Sequence, residues 1–214
     1  ETHDTEPFAG FAPDYGNSGL FAESRDVDWM DDESRHKLSP LLHNRPEVQS
    51  IATRIDGYGF IEDQASESFF KQNCHRFKIL HLAMHAFVNN ENPKFSGLVF
   101  QEPKDTTAED GFLYASEIYN LPINAELAVL SACHTGYGKL VRGEGIMSLA
   151  RAFKYTGCPN IMMSLWQADD DVTKQIMESF YQNLEDGMAK PEAIRMAKLD
   201  YLMSGKKLHP HFWA

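Results

Sequence analysis

The sequence predicts an α/β fold in which a mostly parallel sheet is covered by helices on both faces. Three apolar runs, at residues 77–83, 127–131 and 160–166, have the length and composition of buried strands. Segments with a helical spacing of apolar residues alternate with these runs, which is typical of parallel sheets with crossover helices. A chain of 214 residues, 43% of them apolar, is long enough to bury one large core.

The beginning of the chain lacks these patterns. The first 43 residues mix Gly, Pro, Asp and Ser with isolated aromatic side chains, which predicts an irregular extension. Regular structure is expected from Asn44, a suitable cap for a helix that carries Val48 and Ile51 on one face. The sequence therefore predicts an extension at 1–43 and one domain at 44–214.

The other elements follow from apolar periodicity and from Gly, Pro and capping residues. A polar loop is expected at 86–96, and the two short strands on either side of 101–110 could form a hairpin. The predicted strands are 58–61, 96–100 and 111–113, and the predicted helices are 66–73, 116–120, 144–155, one that opens at 169–171, and one that starts at 191.

Composition restricts the classes of partner. The chain has 20 Lys and Arg against 31 Asp and Glu, a net charge of −11 with neutral histidines. This acidity argues against direct binding of nucleic acid, which requires a basic surface. No apolar run approaches the roughly 20 residues that span a bilayer, so no membrane partner is expected. Three cysteines cannot all pair internally, which indicates free thiols in a reducing, cytoplasmic environment.

Two candidate catalytic residues, His85 and Cys133, follow the first two central strands. His85 lies at the end of the first strand, and Cys133 lies just beyond the second. Because adjacent parallel strands end at the same edge of a sheet, we expect the imidazole and the thiol to meet there. A thiol and an imidazole in contact are the smallest set of catalytic groups that a cysteine peptidase needs. Cys133 follows His85 by 48 residues, close to the separation of about 50 in caspases.

Four stretches of the chain resemble the CHAT family, whose caspase-like domains often follow tetratricopeptide repeats. They are HLAMH at 81–85, LSACHTG at 130–136, SLWQADD at 164–170 and PHFWA at 210–214. The resemblance runs from about residue 44 to the end. It implies the caspase-like three-layer sandwich that is shared with metacaspases and separase.

The resemblance also implies roles. Cys133 is the expected nucleophile and His85 the expected catalytic histidine of an endopeptidase that acts on a protein or peptide. The N–H groups of Cys133 and Ala86 are expected to form the oxyanion hole. Glycine is common in the family at the position of Ala86, and a positive φ there would cost alanine on the order of 1 kcal/mol. Upstream tetratricopeptide repeats or a regulatory protein are the implied partners, and we expect upstream and final strands of the domain to be missing here.

The loop after the third central strand is predicted to contact the substrate. Its candidates are Trp166, Gln167, Asp169 and Asp170, and one aspartate could bind a substrate Arg or Lys. Alternatively, one of the aspartates caps the following helix. Metacaspases carry an aspartate that recognises basic side chains two positions before the cysteine, where this chain has Ser131.

Other interpretations remain open at this stage. Cys133 could be a buried structural thiol and His85 a hydrogen-bonded loop residue, which would leave a catalytically inactive caspase-like scaffold or binding module. A small-molecule thiol hydrolase is a third class. No cofactor is expected, and no metal, because Cys74, Cys133 and Cys158 with nearby histidines match no compact zinc pattern. His81 is expected to be a packed, hydrogen-bonded core residue.

Overall fold

A computed structural model of the chain describes residues 5–15, 40–89, 91–101, 109–131, 144–164 and 169–213. The strands in these ranges are β1 (Glu6–Ala12), β2 (Tyr58–Ile61), β3 (Phe77–Leu82), β4 (His85–Phe87), β5 (Gly97–Val99), β6 (Phe112–Tyr114), β7 (Leu127–Leu130) and β8 (Asn160–Met163). The α-helices are α1 (Asn44–Arg54), α2 (Glu67–Asn73), α3 (Ala115–Ile118), α4 (Glu144–Tyr155), α5 (Asp170–Glu185) and α6 (Lys190–Met203).

Five strands form a parallel sheet in the order β2-β1-β3-β7-β8. Phe8 and Val129 on one face of this sheet belong to a buried cluster with α1, α5 and α6. Phe11 and Leu130 belong to a second cluster, which includes residues of α2, α4 and the short strands. The predicted α/β class is therefore confirmed, and helices on both faces of the sheet are consistent with a caspase-like sandwich.

The strand β1 corrects the prediction of an irregular extension at 1–43. Glu6–Ala12 is an interior strand of the sheet, between β2 and β3, so the prediction is wrong for this segment. Local sequence hid the strand, because it lacks β-branched residues and contains Gly10. That glycine is needed for packing, since a Cβ there would lie 2.7 Å from Val48 Cγ1 of α1. Residues 16–39 lie outside the described residues.

A second, antiparallel sheet contains β4, β5 and β6 in that order. The pairing of β5 with β6 confirms the predicted hairpin. The prediction of a loop at 86–96 is wrong for its first two residues, Ala86 and Phe87, because they belong to β4 and pair with β5. The pairing depends on Gly97, which lies opposite Phe87. A Cβ on Gly97 would lie 2.5 Å from the Phe87 ring.

The helix α1 begins at Asn44, but Asn44 does not cap it. His43 occupies the N-cap position, and Asn44 Nδ2 donates instead to the backbone oxygens of Pro13 (2.9 Å) and Ala83 (3.3 Å). The buried asparagine thus ties α1 to the segments that follow β1 and β3. None of the described helices is long and apolar enough to cross a bilayer.

Candidate active site

The candidate histidine and cysteine follow two strands that are neighbours in the sheet. Leu82 of β3 lies opposite Leu130 of β7 in the parallel register. His85 lies three residues beyond Leu82, and Cys133 lies three residues beyond Leu130 in the sequence. The candidates that lie outside the described residues are Cys133, Trp166 and Gln167.

His85 is buried at the start of β4, opposite Val99 of β5. Its backbone N–H donates to the hydroxyl of Tyr15 (3.0 Å), and that hydroxyl donates to the Val99 carbonyl (2.5 Å). The Tyr15 and His85 rings lie 4.5 Å apart between centroids. Burial raises the pKa of Tyr15 far above its ordinary value, although its hydrogen bond with the His85 backbone opposes this rise. The hydroxyl therefore stays protonated and keeps both contacts.

The backbone that leads to His85 is fixed by distant parts of the chain. The Ala83 N–H donates to the Phe11 carbonyl (3.0 Å), and the Ala83 carbonyl accepts from Asn44. Sequence reasoning missed the roles of Tyr15 and Asn44. The isolated aromatic residues near the start of the chain were a weak signal, since an irregular solvated segment has no need of them.

Ala86, the predicted second oxyanion donor, lies in β4 opposite Leu98 and is 3% exposed. Among the described residues, positive φ outside glycine occurs at Asp56 and Glu62. Ala86 therefore has an ordinary extended backbone, and the cost expected from a positive φ does not arise.

A chain of buried polar side chains reaches the segment just before Cys133. Ser131 Oγ donates to Glu47 Oε1 (2.9 Å), and the same carboxylate oxygen lies 2.8 Å from His81 Nε2. His81 Nδ1 is 3.0 Å from the Tyr181 hydroxyl. These contacts are all satisfied when Tyr181 donates to Nδ1 and Nε2–H donates to the carboxylate. They confirm His81 as a hydrogen-bonded core residue.

The two predicted aspartates already have protein partners. Asp169 caps α5 by accepting from the Val172 N–H (3.2 Å), and it forms an ion pair with Lys207. Partial burial opposes ionisation of Asp169, but the bonds from Lys207 and the backbone hold its pKa below the ordinary value. Asp170 accepts from the His43 N–H (3.0 Å), and burial raises its pKa despite that bond.

A cavity of about 100 Å³ lies beside the carboxyl ends of β7 and β8, against α5 and α6. Its described lining is mostly apolar, with Met162 and Met177 among the side chains. Ser131, Asp170 and Lys198 contribute polar groups. Burial lowers the pKa of Lys198. The cavity therefore offers a mostly apolar space at the edge formed by the carboxyl ends of β7 and β8.

An acidic cluster that the sequence analysis did not anticipate lies elsewhere. Glu67, Glu109 and Glu117 are close enough together to hold a metal ion. The ammonium group of Lys71 lies among them instead, at 2.6, 2.7 and 2.6 Å from the three carboxylates. Burial raises the pKa of Glu67 to about 7, although Lys71 acts in the opposite direction. We assign this ion-pair network a structural role, because the protein's own cation occupies it.

These features define an α/β domain in which the described candidate residues follow the carboxyl ends of parallel strands. The CHAT domain model matches residues 12–214, and the chain belongs to this family. Tetratricopeptide repeat protein 28 of Homo sapiens is 28% identical over 200 residues, which cover 86% of this chain and 8% of that protein. The Mus musculus protein of the same name is 28% identical over 102 residues, which cover 48% of this chain and 4% of that protein. The chain thus spans less than a tenth of the length of these relatives.

Proposed function

We propose that this chain is a cysteine endopeptidase domain that cleaves a protein or peptide substrate through Cys133 and His85. The register of β3 and β7 is the observation that carries the proposal. Since Leu82 lies opposite Leu130, the equal offsets of His85 and Cys133 beyond that pair favour a meeting at one sheet edge.

In the proposed reaction, His85 accepts the proton of the Cys133 thiol, which is only a few per cent ionised at neutral pH without help. The thiolate attacks the substrate carbonyl, and the N–H groups of Cys133 and Ala86 stabilise the oxyanion. One such donor is worth roughly 3 kcal/mol. His85 then protonates the departing amine, and water activated by the same imidazole hydrolyses the acyl-enzyme. Trp166, Gln167 and Asp170 remain proposed substrate contacts, whereas Asp169 binds Lys207 and the N-terminus of α5.

Regulation and location are part of the same proposal. The relatives named above are tetratricopeptide repeat proteins, which supports control by upstream repeats or by a regulatory protein. Cys74 and Cys158 are free thiols, and a thiol nucleophile needs reducing conditions, which favours the cytoplasm.

The test is covalent labelling of the protein by a peptide that carries a thiol-reactive electrophile, with the modified residue identified by mass spectrometry. Cys133→Ala and His85→Ala should each abolish labelling and peptide cleavage. Cys158→Ala and His75→Ala are the matched controls and should retain both. Labelling or cleavage that survives in Cys133→Ala or His85→Ala would contradict the assignment.

A second candidate is an inactive scaffold, for which Ala86 after the histidine and the strands expected to be missing are the arguments. The extended backbone of Ala86 in β4 weakens the first of these arguments. If the parent protein resists every peptide electrophile while remaining folded, the scaffold hypothesis is favoured over the peptidase.

A further inference from the structure

We propose that the cavity beside β7 and β8 binds the substrate side chain on the amino side of the cleaved bond, and that it selects an uncharged apolar side chain of the size of Leu or Met. This inference rests on the proposed peptidase function. It differs from the sequence-based expectation that Asp169 or Asp170 binds Arg or Lys.

The position of the cavity connects it to the proposed nucleophile. Val129 and Ser131 both line it, as expected for alternate residues of one strand that face the same side. Cys133 is the next alternate residue in the sequence. Because two residues of chain span at most about 7 Å in any conformation, a side chain next to the attacked carbonyl is within reach of the cavity.

The size of the cavity suits a side chain of moderate length. A dry cavity of about 150 Å³ holds benzene, which has six carbon atoms. In proportion, the cavity here, of about 100 Å³, holds roughly four non-hydrogen atoms. Leu and Met each have four such atoms beyond Cα. The lining, with Ile176 and Met177 of α5 and Ile194 of α6, offers these atoms apolar contacts.

The charges in the lining favour an ionised side chain of neither sign. Asp170 is the one carboxylate among its described residues, and it already accepts from the His43 N–H (3.0 Å). Lys198 provides a cation in the same lining. An entering Arg or Lys would meet Lys198 as well as Asp170, and an entering Asp or Glu would meet Asp170 as well as Lys198, so the lining attracts neither sign over the other. A charged group would also lose its water in a mostly apolar space.

The other nearby carboxylates are not available to a cationic side chain. Asp169 is not among the described lining residues, and its carboxylate already binds Lys207 and the N-terminus of α5. Glu47 lies behind Ser131, is 1% exposed and accepts hydrogen bonds from within the core.

The first test uses a series of peptide electrophiles that differ only at the residue on the amino side of the reactive group. Leu and Met probes should label Cys133 at least about tenfold faster than Arg, Lys, Asp or Glu probes, given the free energy of burying such apolar side chains. A series led by Arg or Lys would overturn the inference and leave the peptidase proposal intact. Labelling that does not require His85 would contradict the peptidase proposal itself.

The second test measures binding without chemistry. The Cys133→Ala protein, labelled with ¹³C at its methionine methyl groups, is titrated with N-acetyl-methionine amide and with N-acetyl-lysine amide. The apolar ligand should shift the signals of Met162, Met163 and Met177, which line the cavity, and leave the others of the nine methionines unchanged. An equal response to the lysine ligand, or no response at these three methyl groups, would overturn the inference.

Matched variants on α6 test whether the cavity determines which probe side chain is preferred. Ile194→Phe narrows the cavity and should lower the Met-probe rate at least about fivefold, while a Gly probe is unaffected. Leu199→Phe adds the same ring outside the lining and should change neither rate. Lys198→Glu should raise the rate of the Lys probe relative to the Met probe, and Lys190→Glu should not. An unchanged probe profile in both Ile194→Phe and Lys198→Glu would exclude the cavity as the selective site.

Discussion

The hydroxyl of Tyr15 lies between the N–H of His85 and the carbonyl of Val99, at 3.0 Å and 2.5 Å. His85 and Val99 oppose each other in the antiparallel pair of β4 and β5. The tyrosine side chain thus joins the two strands at the residue proposed to act as the catalytic base. A residue from the segment after β1 therefore holds the backbone of His85 in place.

Replacing Tyr15 with Phe keeps the buried ring and removes the bridging hydroxyl. The variant should lose about 1–3 kcal/mol of unfolding free energy, because buried backbone groups lose a hydrogen-bond partner. Urea denaturation measures this change. Tyr155→Phe removes the same hydroxyl from a side chain that is 75% exposed, and it should stay within about 0.5 kcal/mol of the parent protein. Equal stability of the two variants would show that the hydrogen bonds of the Tyr15 hydroxyl contribute nothing to the free energy of unfolding.

Tyr15→Phe also tests a positioning role for Tyr15. If the hydroxyl holds His85 in place, the pH profile of labelling at Cys133 should change in Tyr15→Phe, and the maximal labelling rate should fall with little change in probe affinity. A purely structural loss would instead lower the active fraction and leave the pH profile as it is in the parent protein.

The buried carboxylate of Glu47 connects Ser131 with His81, at 2.9 and 2.8 Å. In Glu47→Gln the amide oxygen can still accept both hydrogen bonds, but it lacks the negative charge that strengthens them, and a buried NH2 donor replaces the second carboxylate oxygen. We expect a loss of about 1.5–3 kcal/mol in unfolding free energy, typical of a buried hydrogen bond to a charged group. Ser131→Ala should lose about 1 kcal/mol. Glu126→Gln, at an exposed position, is the control. A Glu47→Gln protein as stable as that control would contradict the proposed role of this network.

The central strands could be predicted because their signals are local. The strand β7 is four consecutive apolar residues between polar neighbours, and its neighbour β3 has four apolar residues among six, with Lys78 and His81 between them. In β1, Gly10 weakened the sequence pattern that predicts a strand. The glycine is nevertheless required there, because a side chain would collide with Val48 of α1. The position of His85 just beyond β3 followed from the same local pattern, but its place at the start of β4 did not. The contacts of Tyr15 and Asn44 did not, because they join segments 70 and 39 residues apart and depend on the assembled sheet.

The contacts of Asp169 predict that it acts as a helix cap. Asp169→Ala should lose about 1 kcal/mol of unfolding free energy, since Ala cannot accept from the Val172 N–H. Asp169→Asn should lose only a few tenths, because asparagine caps helices about as well as aspartate. Asp171→Ala, in the first turn of the same helix, is the control. If Asp169→Asn is as unstable as Asp169→Ala, the ion pair with Lys207 matters more than the cap.

The network around Glu67 predicts a stability that depends on pH. The Glu67 side chain is 1% exposed, accepts from the Gly111 N–H (2.9 Å), and has a pKa raised by burial from 4.5 to about 7 against the opposing effect of Lys71. The native protein therefore binds this proton more tightly than the unfolded chain. The corresponding stability is fully present below about pH 4.5 and is lost as the pH rises through about 7. Urea denaturation between pH 5 and pH 8 should show a smaller decline in Glu67→Gln than in the parent protein, whereas Glu126→Gln should follow the parent. Identical pH dependence in all three proteins would show that Glu67 titrates as an ordinary carboxylate.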